Sequence, residues 1–248
     1  MTLTPLHPST SLAGKVIVIT GAAGGLGPVV ARQTAAAGAA LVLCGHDEVG
    51  LDELRADLGL GADRLVTVAA DLTDIGDVAR LADTAESWHG RVDAVLHLVG
   101  GWRGGMPLAA APSDEWPWLV HRIVTTTVLV VRAFAVPLKA AAAGRFITVS
   151  SPRATAPTSS NAAYGAAKAA ADAWVLALAD EFKGSAATAN ILVVPAIATP
   201  RIREAEPEAA LGSFVDAETI AAAMLALCAE VTPGLNGQRI TLPTRGGA

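Results

Sequence analysis

Residues 15–27 read KVIVITGAAGGLG, and this stretch decides the fold. Lys15 to Thr20 is a β-branched run of strand type that Gly21 ends. A glycine-rich turn follows, and Leu26 to Ala37 has helical composition with Gly38 as its cap. Glycines placed between a strand and a helix allow the tight turn, let the backbone approach a pyrophosphate, and bring helix and strand close. The helix N-terminus then presents free N–H groups and a positive dipole end. A turn of this composition can also serve packing alone, so the elements around it carry the decision.

Outward from the turn, short apolar runs alternate with helical segments. Strands are predicted at Leu41–Cys44, Leu65–Ala69, Val92–Val99, Arg145–Val149, Thr188–Val194 and Arg239–Leu242. Helices at Asp47–Leu58, Ile75–Trp88, Trp116–Lys139, Ala162–Phe182 and Asp216–Ala229 separate them. Pro117 falls in the first turn of the long helix, where a missing N–H is tolerated. Strands that are continuously apolar and alternate with helices belong to a parallel sheet covered on both faces. The predicted fold class is therefore α/β: a doubly wound, Rossmann-like parallel sheet with helices on both faces. A single domain spans 1–248, with 1–12 expected as an N-terminal tail.

Bulk composition narrows the function classes. With 248 residues, 52% hydrophobic and 17% charged, the chain can bury a large core. A net charge of −5, with no two Lys or Arg adjacent, argues against nucleic acid as a partner. Cys44 and Cys228 lie in apolar surroundings without metal-ligand spacing, so no metal is expected. Both read as buried free thiols of a reducing compartment. Residues 1–12 lack the basic start and apolar stretch of a targeting signal. The longest apolar runs are broken by charge, as at Arg132 and Lys139, and none reaches the ~18–20 residues that span a bilayer. A cytoplasmic protein without membrane association is expected.

The chemistry concentrates in Ser151, Tyr164 and Lys168. Tyr164 and Lys168 stand four residues apart on a predicted helix, which puts them on one face, a turn apart. Ser151 ends the fifth strand thirteen residues before Tyr164, the only tyrosine in the chain. A carbonyl reduced by hydride develops negative charge on oxygen and must receive a proton. Tyrosine can supply it, but its ordinary pKa of about 10 is high for exchange at neutral pH. A neighbouring ammonium favours the phenolate and lowers that pKa. A serine hydroxyl can steady the substrate oxygen. Alone, the Tyr–Lys spacing describes an ordinary helix face; the serine, the glycine turn and the element order give it meaning.

The T-G-x3-G-x-G spacing of residues 20–27, joined to Ser151, Tyr164 and Lys168, resembles the short-chain dehydrogenase/reductase family. The likeness runs from Leu12 to Gly247. It implies an NAD(P)(H)-dependent oxidoreductase that interconverts a carbonyl and an alcohol of a small-molecule substrate. Ser151, Tyr164 and Lys168 would be catalytic, with Tyr164 the general acid/base. Cofactor contacts are implied for Gly21, Gly25, Leu26, Gly27, Gly100, Tyr164, Lys168 and Thr199. Asp71 would hold the adenine amino group with the Leu72 backbone nearby, while Thr73 or Asp74 could cap the next helix. The resemblance also implies a homodimer or homotetramer; the apolar faces of Ile123–Phe134 and Ala169–Leu178 would suit such a contact, or could equally be covered within one chain.

Several positions depart from the family pattern. The family's asparagine-rich motif after the fourth strand becomes His97-Leu98-Val99-Gly100, and its Pro-Gly after the sixth becomes Pro195-Ala196. The asparagine that usually joins the catalytic group is missing, since no asparagine precedes Asn161. Counting back from Pro137 puts Val124 or its neighbour there, with Thr125 or Thr126 as substitute relay groups. This leaves a second reading open, a cofactor-binding sensor or scaffold with weak or no turnover. Gly45 stands where NAD-preferring members carry an acid, and His46 where NADP-preferring relatives often carry arginine. Asp47 lies close by and the glycine turn holds no basic residue, so NADP(H) is only slightly favoured over NAD(H). Pocket walls are expected from Gly101–Met106 and Pro152–Arg153, with a lid over Thr199–Ser213. Trp102 and Met106 suggest apolar contact, whereas Arg103, Arg153, Arg201 and Arg203 could meet a carboxylate or phosphate; the favoured reading has these arginines solvated and paired with Glu204, Glu206 and Glu208. A Tyr–Lys gap of four speaks against enoyl reduction.

Overall fold

The computed structural model describes residues 11–229 and 235–247; most of the expected tail, residues 1–10, lies outside them. Among the described residues nine strands are formed: β1 (Val16–Thr20), β2 (Ala40–Gly45), β3 (Leu65–Ala69), β4 (Ala94–His97), β5 (Arg145–Ser150), β6 (Thr188–Val193), β7 (Ile197–Ala198), β8 (Val215–Asp216) and β9 (Arg239–Thr241). Every residue of β1, β4 and β6 is buried. Because successive strand residues point to opposite faces, that burial requires cover on both. Seven strands pair in parallel in the order β3-β2-β1-β4-β5-β6-β9. Chain direction across the sheet reverses between β1 and β4, where Thr20 faces His97. In such a sheet a crevice opens beyond the carboxyl ends of the two strands at the reversal.

The helices are α1 (Gly27–Ala36), α2 (Glu48–Leu58), α3 (Ile75–His89), α4 (Glu115–Leu119), α5 (Thr126–Ala140), α6 (Ala162–Glu181), α7 (Pro200–Ala205) and α8 (Ala217–Cys228). On one face Ile17 and Ile19 of β1 pack with Val30, Leu51 and Met224 of α1, α2 and α8. On the other, Val16 and Val18 pack with Leu81, Phe134 and Val175 of α3, α5 and α6. Each fully buried side chain of this size contributes about 1.5–3 kcal/mol. Asp47 caps α2 and Asp74 caps α3, accepting from Gly50 N at 3.2 Å and Asp77 N at 2.9 Å. Left-handed Gly59 and Gly90 end the same two helices. Leu12 belongs to the core rather than to a tail: it is buried, and its N–H donates to Ala37 O at 2.7 Å.

The long helix expected over Trp116–Lys139 is α4, a π-helical turn over Val120–Thr125, and α5. Its helical course from Glu115 to Ala140 is 26 residues, which corrects the expectation that no stretch is long and apolar enough to span a bilayer. Here that helix lies against α3 and α6. On the face over Ile123–Phe134, Ile123 and Phe134 themselves are covered within the chain as core residues, while Val136, Trp174 and Leu176 are large apolar side chains exposed on α5 and α6. Two further features escaped sequence reading. β7 and β8 form a two-residue sheet that draws together the ends of the segment between them. Buried Asp172 of α6 pairs with Arg239 of β9 and accepts from Ser150 Oγ at 2.9 Å, which ties helix, β5 and β9 together.

Candidate active site

The glycine turn is shaped by close approaches that no side chain could survive. A Cβ on Gly27 would lie 2.2 Å from Ala22 O, so α1 starts directly against the turn. Gly21 adopts φ +72°, and a Cβ there would meet the Leu98 and Val99 backbone at 3.2 Å. Pro28 occupies the first turn of α1, where its missing N–H would have no helical acceptor. The N–H groups of Gly25, Leu26 and Gly27 have no backbone acceptor outside the helix among the described residues. A cradle of free N–H donors at a helix start fits the phosphates of a dinucleotide.

The turn forms one wall of a cleft of about 480 Å³ over the β1/β4 reversal. Gly45–Asp47, Ala70–Thr73 and Leu98–Gly100 continue it, and Trp118, His121, Arg122 and Thr126 close the far side. Gly21, Gly25, His46, Asp71, Leu72 and Gly100 all line this cleft. Leu26 and Gly27 are buried and do not line it. Asp71 Oδ1 accepts from Thr73 N at 2.9 Å and Thr73 Oγ1 at 2.7 Å, and these bonds lower its pKa. Asp74 supplies the helix cap, so Asp71 is spared that task. Thr199 caps α7 by accepting from Ile202 N at 3.3 Å, and its Cγ2 would lie 3.3 Å from a Cβ on Gly25.

Ser151, Tyr164 and Lys168 meet beside this cleft. Gly165 lets α6 settle on the loop after β5, since a Cβ there would be 2.6 Å from Arg153 O. That approach brings Tyr164 within hydrogen-bonding reach of buried Ser151, whose Oγ also accepts from Arg153 N at 3.2 Å. Lys168 is buried, and its Nζ donates to Val149 O at 3.0 Å. A Cβ on Gly100 would be 3.6 Å from that Nζ. Burial pushes the Lys168 pKa down to about 8. Burial also raises the Tyr164 pKa and the neighbouring Ser151 hydroxyl opposes that rise, so the net shift is upward rather than the lowering expected from the Tyr–Lys spacing.

The departures from the family pattern have structural answers. His97 is buried and bridges β1 to α5, with Nδ1 2.8 Å from Thr20 Oγ1 and Nε2 3.2 Å from Thr127 Oγ1. Thr127 spends its only proton on Ile123 O at 2.7 Å, so it must accept from His97 Nε2–H. Nδ1 then accepts from Thr20, and the ring is neutral; burial and the nearby Lys168 push its pKa down to about 3. At the missing asparagine, buried Ile123 packs with Ala167 and Ala171 of α6, and half-buried Val124 lies against the same cluster. The helix nonetheless bends through its π turn, with Thr126 Oγ1 bonded to Arg122 O at 2.8 Å.

Around the entrance, Trp102 and Met106 are exposed. The arginine pairing is different from the expected one. Arg103 pairs with Asp114 at 2.7 Å, and Arg203 holds Glu218 at 2.7 and 2.8 Å and Asp216 at 3.2 Å. These carboxylates face the arginines from other elements, whereas Glu204 and Glu206 are exposed neighbours along α7. Sequence reading missed Trp118, His121, Arg122 and Gly165; an arginine inside WLVHRIVTTTVLVV was the available signal.

Comparison with known proteins agrees with this arrangement. The short chain dehydrogenase family model matches residues 15–210. A short-chain type dehydrogenase/reductase of Picea abies is 30% identical over 213 residues, covering 82% of this chain and 78% of that protein. Two Mycobacterium tuberculosis relatives align over less of their length, 47% and 60%. A short chain dehydrogenase structure from Pseudomonas syringae superposes with TM-score 0.85 at 29% identity, covering 97% of this chain and 99% of that one. The structure of a 3-ketoacyl-(acyl-carrier-protein) reductase from Brucella melitensis, complexed with NADH, gives 0.82 at 25% identity, covering 95% and 100%. Fold, glycine turn and family match converge, and the chain belongs to the short-chain dehydrogenase/reductase family.

Proposed function

We propose that this protein is an NAD(P)(H)-dependent oxidoreductase that interconverts a carbonyl and an alcohol, with Tyr164 as general acid/base. One observation carries the reading: Ser151, Tyr164 beside it and buried Lys168 stand next to a glycine-lined cleft. Bound in that cleft, the nicotinamide cofactor supplies or accepts the hydride. Gly25, Leu26 and Gly27 would hold its phosphates, Asp71 and Leu72 its adenine, Gly100 and Lys168 a ribose, and Thr199 the carboxamide. In reduction, Tyr164 gives its proton to the carbonyl oxygen while Ser151 Oγ steadies that oxygen. A raised pKa keeps the phenol protonated through neutral pH. Lys168, charged below about pH 8, supports the phenolate left behind.

NADP(H) is slightly favoured over NAD(H), because β2 ends in Gly45 without an acid and exposed His46 follows at the cleft. Thr199–Ser213 would act as the substrate lid, with α7 held at its base by Arg203. Exposed Val136, Trp174 and Leu176 favour a homodimer or homotetramer. Two buried free thiols suit the reducing cytoplasm.

Fluorescence titrations with NADPH and NADH, followed by a carbonyl and alcohol screen, test the proposal. Micromolar binding of at least one dinucleotide is expected. Tyr164→Phe should keep that binding and lose turnover by roughly 10²–10⁴-fold. Absence of binding by both would overturn the reading.

A further inference from the structure

Arg122 is the single Lys or Arg among the described residues lining the cleft. It is half-buried in the π turn, with its Nε donating to Gly100 O at 2.8 Å. Its guanidinium carbon lies 5.6 Å from the centre of the Trp118 ring. The chain leaves room for this placement at Gly101, where a Cβ would sit 2.5 Å from Trp118 and 3.1 Å from Arg122 Cδ. Arg103 stands closer to the same ring, at 4.3 Å, but its charge is met by Asp114. Arg32, Arg91 and Arg203 likewise have carboxylate partners. Among the described residues no carboxylate pairs with Arg122.

We infer that Arg122 binds a phosphate group of the dinucleotide from the wall opposite the glycine turn, an inference that rests on the cofactor reading above. The turn and the loop after β4 nearly touch, because a Cβ on Gly21 would meet Leu98 and Val99 at 3.2 Å. An arginine anchored on Gly100 is therefore held at the same opening. With Nε committed and the stem against Trp118, the two terminal nitrogens remain as a paired donor fork for phosphate oxygens. The glycine turn offers only N–H groups and a helix dipole, so this wall provides the permanent positive charge that the turn lacks. Two phosphates of a dinucleotide could meet the fork, the 2′-phosphate of NADP(H) or the diphosphate common to both cofactors.

The test compares the full chain with its Arg122→Gln and Arg122→Lys variants, titrating NADPH and NADH at several salt concentrations. Thermal melting confirms that each variant is folded. For Arg122→Gln we expect about 10- to 100-fold weaker binding and a smaller salt dependence of Kd. Arg122→Lys should keep the salt dependence but recover only part of the affinity, having lost the fork. A loss confined to NADPH assigns the 2′-phosphate; an equal loss for both assigns the diphosphate. Unchanged affinity overturns the inference, as does weaker binding with an unaltered salt dependence, which marks a structural brace. Failure of the unmodified protein to bind either dinucleotide would instead overturn the cofactor reading itself.

Discussion

The two walls of the cleft follow different rules. On the β1 side, the turn is fixed by backbone contacts so close that glycine alone fits at Gly27. On the β4 side, the structure needs only a polar bridge and a bend, and unusual residues supply both. His97 joins β1 to α5 with its two ring nitrogens. The helix bends through a π turn whose threonine hydroxyls bond back to Arg122 and Ile123. A backbone collision has a single remedy, whereas a hydrogen-bond bridge can be built from more than one side chain. The first wall is therefore fixed by residue type, and the second by the bonds its residues make.

This contrast can be broken experimentally. Gly27→Ala should have the largest effect, because the added methyl would press on the Ala22 carbonyl at 2.2 Å. We expect a loss of about 3 kcal/mol in denaturant unfolding, together with weakened dinucleotide binding. A variant of ordinary stability and affinity would show that the first wall is as tolerant as the second. The next effect is in pH dependence and tests Lys168, which lies against Gly100 on the second wall. Its pKa of about 8 predicts that kcat/KM for carbonyl reduction is level through neutral pH. Above about pH 8 it should fall by up to tenfold per pH unit. A profile flat to pH 10 would remove the lysine charge from the reaction.

The smallest effect concerns His97. Its folded pKa of about 3 lies below the ordinary 6.5, so the unfolded chain binds more protons between those values. Stability is then complete above about pH 6.5 and declines as pH falls toward 3. His97→Asn should flatten this acid limb in denaturation curves and cost about 1 kcal/mol at neutral pH. An unchanged limb would place the acid sensitivity elsewhere.

Legibility in the sequence divided along the same line. β1, β3, α2 and α3 appeared nearly to the residue, because apolar runs, Asp47, Asp74 and the glycines after each helix are local signals. Ser151, Tyr164 and Lys168 were found from spacing and brought together by α6. The role of His97 was not visible, since its partners Thr20 and Thr127 lie far away in the chain. Arg122 was passed over for a similar reason: its place in the cleft depends on a bend that the helical periodicity does not reveal. β7 and β8 were too short to show alternation, and the true partners of Arg203 lie 13 and 15 residues away.

The bond between Asp172 and Arg239 has a consequence for the order in which the protein takes shape during synthesis. β9 leaves the ribosome after α6, so for part of translation the helix bearing Tyr164 and Lys168 carries a carboxylate without its counter-ion. Burying that charge unpaired would be costly, so the seating of α6 is coupled to the pairing of β9 with β6. The helix that places Tyr164 and Lys168 is thereby tied to a strand that does not line the cleft.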